Sequence, residues 1–64
     1  MRKWLIELRK QKNLSQSEVA EASKISQPSY CNIENGKIRP KPETAKRIAD
    51  LLGFNWTDFF KETA

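Results

Sequence analysis

Signals that start and stop short helices recur along this chain, and they constrain its fold more than any other feature. Ser15-Gln16-Ser17-Glu18 has the Ser-x-x-Glu spacing of a capping box, in which the serine and glutamate side chains bind unpaired amides at a helix start. Ser26 and Pro28 mark another start, since proline in a first helical turn leaves no amide hydrogen unpaired. Asn35-Gly36 and Gly53 are helix stops. No stretch alternates polar and apolar residues as a strand does.

Apolar residues between these signals recur at helical spacing and predict a series of short helices. The first has Trp4, Leu5 and Leu8 on one face and fades near Lys12-Asn13. The second, about residues 15–22, offers three small or branched side chains for packing: Val19, Ala20 and Ala22. The third covers about residues 27–34. Its cap is Ser26 or Gln27, because proline disfavours helical geometry at the residue before it.

Two further helices are predicted in the C-terminal third of the chain. Pro42 begins the fourth, whose inner face is expected to hold Ala45, Ile48, Ala49 and Leu52. Gly53 ends it, and Asn55 caps a short fifth helix with three aromatic residues: Trp56, Phe59 and Phe60. We therefore expect one all-α domain over residues 1–64, folded as a compact five-helix bundle.

Composition excludes several classes of protein. With 64 residues and 38% hydrophobic residues, the chain has enough apolar side chains for one small core. One cysteine and no histidine exclude an internal disulfide and a zinc site, and we expect no metal and no cofactor. The absence of a Gly-rich phosphate loop and of a paired-acid site argues against an enzyme. The single cysteine also makes a reducing cytoplasm the expected compartment. A run of about eighteen apolar residues, as in a membrane span, is absent, and the first residues do not have the pattern of a signal peptide.

Basic residues are concentrated in the N-terminal two-thirds of the chain. Residues 1–41 hold nine Lys/Arg and four Glu, whereas residues 42–64 hold three Lys/Arg and four Asp/Glu. This distribution suits a polyanion partner, although an ordinary solvated surface can have the same composition.

The second and third helices fit the spacing rule of a helix–turn–helix unit. Such a unit needs a small residue where the helices cross, a special backbone angle in the turn, an apolar plug after the turn, and two apolar anchors on the second helix. These positions hold Ala20, Lys24, Ile25, Tyr30 and Ile33, respectively.

Ordered motifs extend over nearly the whole chain, from about Trp4 to Phe60. They are Leu8-Arg9, Leu14-Ser15-Gln16, Ala20, Ile25-Ser26, Ile33-Glu34-Asn35-Gly36 and Ala49-Asp50-Leu51-Leu52-Gly53. Together they resemble the Cro and phage-repressor-like helix–turn–helix family, often called XRE. The resemblance implies a lambda-repressor-like DNA-binding domain whose third helix lies in the DNA major groove.

The resemblance also implies which residues read the bases: Gln27, Pro28, Ser29 and Asn32. Gln27 and Asn32 each carry an amide that can accept from adenine N6 and donate to N7. Pro28 offers only an apolar contact, for instance to a thymine methyl, so DNA shape is expected to supply part of the readout. Cys31 is expected to be a small, partly exposed side chain near this surface.

Phosphate contacts are implied for polar residues around the third helix: Ser15, Gln16, Lys24, Asn35, Lys37, Arg39 and Lys41. Gln16 is also expected to brace the first residue of the third helix. Lys24 stands where relatives commonly have glycine, and a left-handed backbone there costs a lysine roughly 1 kcal/mol. Arg9 and Glu34 are expected to form a structural ion pair that ties the first helix to the end of the third.

The aromatic residues near the C-terminus are candidates for an interface between two copies. Large aromatics that are partly exposed at a terminus often mark such an interface, which points to Trp56 and Phe60. The alternative is that these residues complete a small core, and this alternative is favoured for Phe59. A homodimer would place two third helices about 34 Å apart on a pseudo-palindromic double-stranded operator.

Two hypotheses of different classes follow from the sequence. The leading one is a sequence-specific, double-stranded DNA-binding transcriptional regulator of bacterial or phage type, most simply a repressor that occludes a promoter. The alternative is a protein-interaction module with the same fold, either antitoxin-like or recruiting the transcription machinery. The chain has no room for a ligand-sensing domain, so it is expected to be a minimal regulator or a piece of a longer one.

Overall fold

A computed structural model describes residues 1–61, which contain four α-helices and one 3₁₀ helix joined by short loops. The elements are α1 (Lys3–Gln11), α2 (Gln16–Ala22), α3 (Gln27–Glu34), α4 (Pro42–Leu52) and the 3₁₀ helix (Trp56–Phe60). α2 packs against both α3 and α4, α1 packs on α3, and the 3₁₀ helix packs on α4. The predicted all-α fold is confirmed. The predicted domain also includes residues 62–64, which lie outside the described residues.

The predicted five-helix bundle is wrong in its count of α-helices: there are four, and the fifth predicted helix, Trp56–Phe60, is a 3₁₀ helix of five residues. The predicted cap is present: the Asn55 side chain accepts from the Thr57 amide at 3.0 Å. A segment of this length makes too few i→i+4 hydrogen bonds to offset the cost of nucleating an α-helix. The tighter 3₁₀ turn therefore forms instead.

The residues that mark helix starts in the sequence form hydrogen bonds to the first turn of their helices. In the capping box of α2, the Glu18 amide donates to Ser15 Oγ at 3.1 Å, and the Ser15 amide donates to Glu18 Oε1 at 2.8 Å. Ser26 rather than Gln27 caps α3, since its hydroxyl accepts from the Ser29 amide. These caps satisfy amides that would otherwise lack partners at the helix starts.

Each α-helix is closed by a residue with a left-handed backbone. These residues are Asn13, Lys24, Gly36 and Gly53, with φ of 58°, 62°, 79° and 78°. After α2, the Lys24 amide donates to the Glu21 carbonyl at 3.1 Å and the Ile25 amide to the Ala20 carbonyl at 3.0 Å. This is the hydrogen-bond pattern of a Schellman motif, and it turns the chain from α2 into α3.

The core lies where α2, α3 and α4 meet. Its α3 members are Tyr30 and Ile33, and α4 contributes the four residues expected from the sequence: Ala45, Ile48, Ala49 and Leu52. Of the three residues of α2 that were expected to pack, Val19 and Ala20 are buried, whereas Ala22 is exposed. The 3₁₀ helix adds Phe59, whose ring lies 5.3 Å from that of Trp4. The result is a rigid support for one side of α3.

Candidate nucleic-acid interface

α3 has one side in the core and one side outside it. The buried side consists of Tyr30, Ile33 and Glu34, each at most 2% exposed. The residues that the sequence predicts to read bases all lie outside the core: Gln27, Pro28, Ser29 and Asn32. Because the buried side is packed on α2 and α1, the other side is presented as a fixed surface.

The polar groups on that outer side differ in whether they already have hydrogen-bond partners within the protein. Ser26 Oγ donates to Ser29 Oγ at 2.9 Å, which leaves the Ser29 hydroxyl hydrogen available to an outside acceptor. Gln27 is exposed and Asn32 is half-buried. Within residues 1–61, neither of their side-chain amides makes a hydrogen bond to the protein. Both amides can therefore donate to and accept from a partner.

A buried network ties α3 to α1 and to the start of α2. Arg9 Nε lies 2.5 Å from Glu34 Oε2, and Arg9 Nη1 donates to the Leu14 carbonyl at 2.9 Å. Gln16 Nε2 donates to the other Glu34 carboxylate oxygen at 2.9 Å. The carboxylate therefore has charge-assisted partners on both oxygens, which is what a group with only 2% of its side chain exposed requires.

The network is charged at neutral pH. Burial alone would raise the pKa of Glu34, but hydrogen bonds from Arg9 and Gln16 outweigh it, and the pKa lies below the ordinary value of 4.5. The hydrogen bond that Arg9 donates to this carboxylate raises the pKa of Arg9 in turn. Burial, followed by the nearby Glu34 carboxylate, raises the pKa of Tyr30. Arg9 and Glu34 therefore both remain charged in the folded protein.

The position of Gln16 differs from the expectation that it braces the first residue of α3. Its amide instead donates to Glu34, the last residue of that helix. The physical reason is that a buried carboxylate recruits the nearest available donor, since leaving one of its oxygens unpaired is costly. The second amide hydrogen of Gln16 is still available for an outside acceptor such as a phosphate.

The loop after α3 presents cations to solvent. We call residues 35–41 the basic loop; its exposed cations are Lys37, Arg39 and Lys41. Lys24, in the turn before α3, is also exposed. Cations therefore lie at both ends of α3, and no acidic side chain is present in the basic loop.

Two other residues predicted to contact phosphate also have partners within the protein. Asn35 is half-buried, and its Nδ2 donates to Cys31 Sγ at 3.4 Å. The Arg39 guanidinium carbon lies 5.6 Å from the centre of the Phe60 ring, within the range of a cation–π contact. Arg39 therefore links the basic loop to the 3₁₀ helix.

Aromatic side chains at the C-terminal end of the described chain are only partly covered. Phe60 is 39% exposed and Trp56 is half-buried, with their rings edge to face at 5.5 Å. The Lys46 ammonium lies 5.0 Å from the Trp56 ring centre. We call Trp56, Phe60 and these flanking cations, Lys46 and Arg39, the aromatic surface.

A helix-turn-helix family model matches residues 5–59 of this chain, which covers α2, α3 and α4 in full and most of α1 and of the 3₁₀ helix. The chain belongs to the helix-turn-helix family. The resemblance to Cro and phage-repressor-like proteins that the motifs indicated is thereby confirmed. No solved structure matches the chain significantly.

Curated relatives of this helix-turn-helix chain are named as transcriptional regulators or, in one case, as a control region protein. It is 45% identical to the uncharacterized HTH-type transcriptional regulator YqaF of Bacillus subtilis (strain 168), covering 97% of this chain and 82% of the relative. It is 33% identical to the HTH-type transcriptional regulator PuuR of Escherichia coli (strain K12), covering 94% of this chain but 32% of the relative. The ImmF control region 10 kDa protein of Bacillus phage phi105 is 40% identical, over 73% of this chain and 52% of the relative.

Sequence reasoning missed one residue of this helix-turn-helix domain, Arg2. Its backbone and side chain bind carbonyls at the end of α3 and in the basic loop, and it is only 7% exposed. A signal was present: a basic residue at the cap of α1 faces the positive end of the helix dipole, where cations are disfavoured. An arginine at such a position indicates a partner elsewhere in the fold.

Membrane-spanning helices and metal-binding clusters are both absent from the described part of the chain. No helix within residues 1–61 is both long and apolar enough to cross a bilayer. The same residues contain no group of three or more His, Cys, Asp or Glu side chains arranged to hold a metal ion.

Proposed function

We propose that this DNA-binding transcriptional regulator is a sequence-specific repressor of bacterial or phage type, with α3 in the major groove of double-stranded DNA. The observation that carries the proposal is the two-sidedness of α3. Its buried side is held by a charged network, and its outer side presents neutral donors and acceptors. Major-groove base edges differ in their donors and acceptors, so a fixed helix with neutral polar side chains can distinguish them.

Gln27 is the principal base-reading residue in this proposal. It is exposed at the first turn of α3, the end that enters the groove in helix–turn–helix complexes. Its amide can bind adenine N6 and N7 together, and the half-buried Asn32 can do the same over a shorter reach. Ser29 supplies a hydroxyl donor. The exposed ring of Pro28 provides an apolar contact to a thymine methyl.

Phosphates on either side of the groove are bound by the cations at the two ends of α3. These are Lys24 in the turn and Lys37, Arg39 and Lys41 in the basic loop, all of them exposed. Asn35, Gln16 and Ser15 add neutral donors at the edges. Such contacts fix the position of the protein on the duplex and make affinity fall with salt, but they carry no sequence information themselves.

We further propose that the protein acts as a homodimer on a pseudo-palindromic operator. The aromatic surface supports this proposal, because Phe60 is exposed beside the half-buried Trp56. Aromatic and arginine side chains, such as Trp56, Phe60 and Arg39, are enriched at interface centres. A two-fold arrangement requires half-sites about 34 Å, or one helical turn, apart. The repressor acts in the cytoplasm by occluding a promoter.

Selection of bound duplexes from a random pool at moderate salt tests the proposal. We expect enrichment of one pseudo-palindromic sequence. On the selected site, Gln27→Ala should cost about 1–3 kcal/mol and relax one base position in each half-site. Lys37→Ala should weaken selected and random duplexes alike and reduce the salt slope by about 0.9.

Lys61→Ala is the matched control for Lys37→Ala. It removes the same charge from an exposed lysine in the acidic C-terminal third of the chain, so the salt slope should stay unchanged. Absence of any enriched sequence would refute DNA reading and favour the protein-interaction module. Equal losses on all duplexes from Gln27→Ala and Lys37→Ala would refute the division between base and phosphate contacts.

A further inference from the structure

Arg2 is a buried cation whose side chain reaches two segments of the proposed DNA-binding surface. Its Nη1 donates to the carbonyl of Ile33 in the last turn of α3. The same nitrogen donates to the carbonyl of Ile38 in the basic loop at 2.9 Å. A single nitrogen thus joins the end of α3 to the basic loop. We propose that Arg2 is a positioning residue that fixes the basic loop relative to the base-reading helix; this inference rests on the proposed function.

The backbone of Arg2 reinforces the same junction. The last four carbonyls of an α-helix have no partners within the helix and must find them elsewhere. In α3, the carbonyls of Cys31 and Asn32 accept from amides of the basic loop, those of Asn35 and Lys37, both at 2.9 Å. The Glu34 carbonyl accepts from the Arg2 amide at 2.7 Å. With the Nη1 bond to Ile33, Arg2 serves two of the four carbonyls.

Charge and packing hold Arg2 in this place. A cation at a helix C-terminus interacts favourably with the negative end of the helix dipole. On its other side, the guanidinium carbon lies 5.5 Å from the centre of the buried Phe59 ring. Because the side chain is packed between the end of α3 and the 3₁₀ helix, it acts inside the domain and is not itself a phosphate contact.

The consequence for DNA binding follows from the order of residues in the loop. Ile38 lies between Lys37 and Arg39, so its carbonyl bond to Arg2 determines how far these two cations stand from α3. Phosphate contacts and base contacts must be made at the same time on one rigid duplex. A loop that moves relative to α3 would therefore bind fewer phosphates even while α3 remains folded.

Amide hydrogen exchange of the free protein, together with DNA binding, tests this role in Arg2→Gln and Arg2→Lys. In Arg2→Gln, the amides of Gly36 and Lys37 should exchange about 10-fold faster or more, since the hydrogen bonds from the charged Arg2 side chain to the Ile33 and Ile38 carbonyls are removed. The Gly53 amide at the end of α4 should be unaffected. The salt slope on the selected duplex should fall by about 0.9 for each phosphate that the variant no longer binds.

Lys3→Gln is the matched control, because it removes the same charge from the adjacent exposed residue. It should leave exchange in the basic loop unchanged. Arg2→Lys keeps the charge and should give exchange rates and a salt slope between those of wild type and Arg2→Gln. It also serves as the test variant if Arg2→Gln does not fold.

The inference is overturned if both Arg2 variants match Lys3→Gln in loop exchange and in salt slope while wild type binds its selected duplex. Failure of wild type to enrich any duplex would instead refute the proposed function. In that case, faster loop exchange in Arg2→Gln alone would still support a role for Arg2 in fixing the loop.

Discussion

Glu34→Gln removes the charge at the centre of the network that holds α3, and the structure sets the size of the effect. Removing one partner of a buried ion pair costs about 3–5 kcal/mol, because the other charge is left uncompensated. The cost of leaving the Arg9 charge unpaired is smaller here, since its side chain is 13% exposed and it also donates to the Leu14 carbonyl. Glutamine retains one acceptor oxygen. We therefore expect a loss of about 2–3 kcal/mol in the free energy of unfolding.

This loss is large for a domain of 64 residues. At about 0.05–0.15 kcal/mol per residue, such a domain has a total stability of roughly 3–10 kcal/mol. Urea unfolding followed by circular dichroism measures the change. With an m-value near 1 kcal/mol per molar urea, the midpoint should move by about 2–3 M.

Glu43→Gln is the matched control for this substitution. Glu43 pairs with Arg47 one turn along α4 at 2.6 Å, but its side chain is 75% exposed. An exposed pair of this kind contributes about 0.3–0.5 kcal/mol. If Glu34→Gln destabilises the protein no more than Glu43→Gln does, burial of the pair does not determine its contribution, and the reasoning about the α3 network is wrong.

Three further predictions concern stability. The pKa of Glu34 is lowered in the folded state, so the contribution of its carboxylate to the free energy of unfolding is fully present above the ordinary pKa of 4.5. This contribution is lost as the pH falls through the lowered pKa. The urea midpoints of wild type and Glu34→Gln should therefore converge on acidification. Lys24→Gly should relieve the left-handed backbone and stabilise the fold by up to about 1 kcal/mol while weakening all duplexes, as measured by urea unfolding and gel shift. Ser23 is 0% exposed and its hydroxyl has no partner among the described residues, so Ser23→Ala should raise stability by about 1 kcal/mol; a lower melting temperature would contradict this.

The helix boundaries could be predicted because each depends on residues close together in the chain. Ser15 and Glu18 are three positions apart, and their capping box forms from any chain that begins a helix there. The same is true of Ser26 with Ser29. The final segment was predicted only as a short fifth helix, because periodicity alone does not distinguish an α-helix from a 3₁₀ helix of this length.

The interactions that sequence reasoning missed join residues far apart in the chain. Arg2 and Ile38 are 36 positions apart, and Gln16 and Glu34 are 18 apart, so no local pattern indicates either pair. Motif order did indicate the pairing of Arg9 with Glu34, because it was implied by the family resemblance. The base-reading set stays a prediction, since an exposed amide such as that of Gln27 is equally compatible with water and with a base edge.

The residues with a left-handed backbone at the ends of α1 and α2 affect how many substitutions this domain can tolerate. Asn13 and Lys24 hold a conformation that glycine adopts without cost, and neither lies in the core. The fold is therefore less stable than its topology permits, and simple substitutions at two surface positions can raise its stability. A variant stabilised in this way could tolerate destabilising replacements in α3 that would otherwise unfold it. Under the proposed function, these two turn residues outside α3 thus limit how many base-reading substitutions in α3 the domain can tolerate.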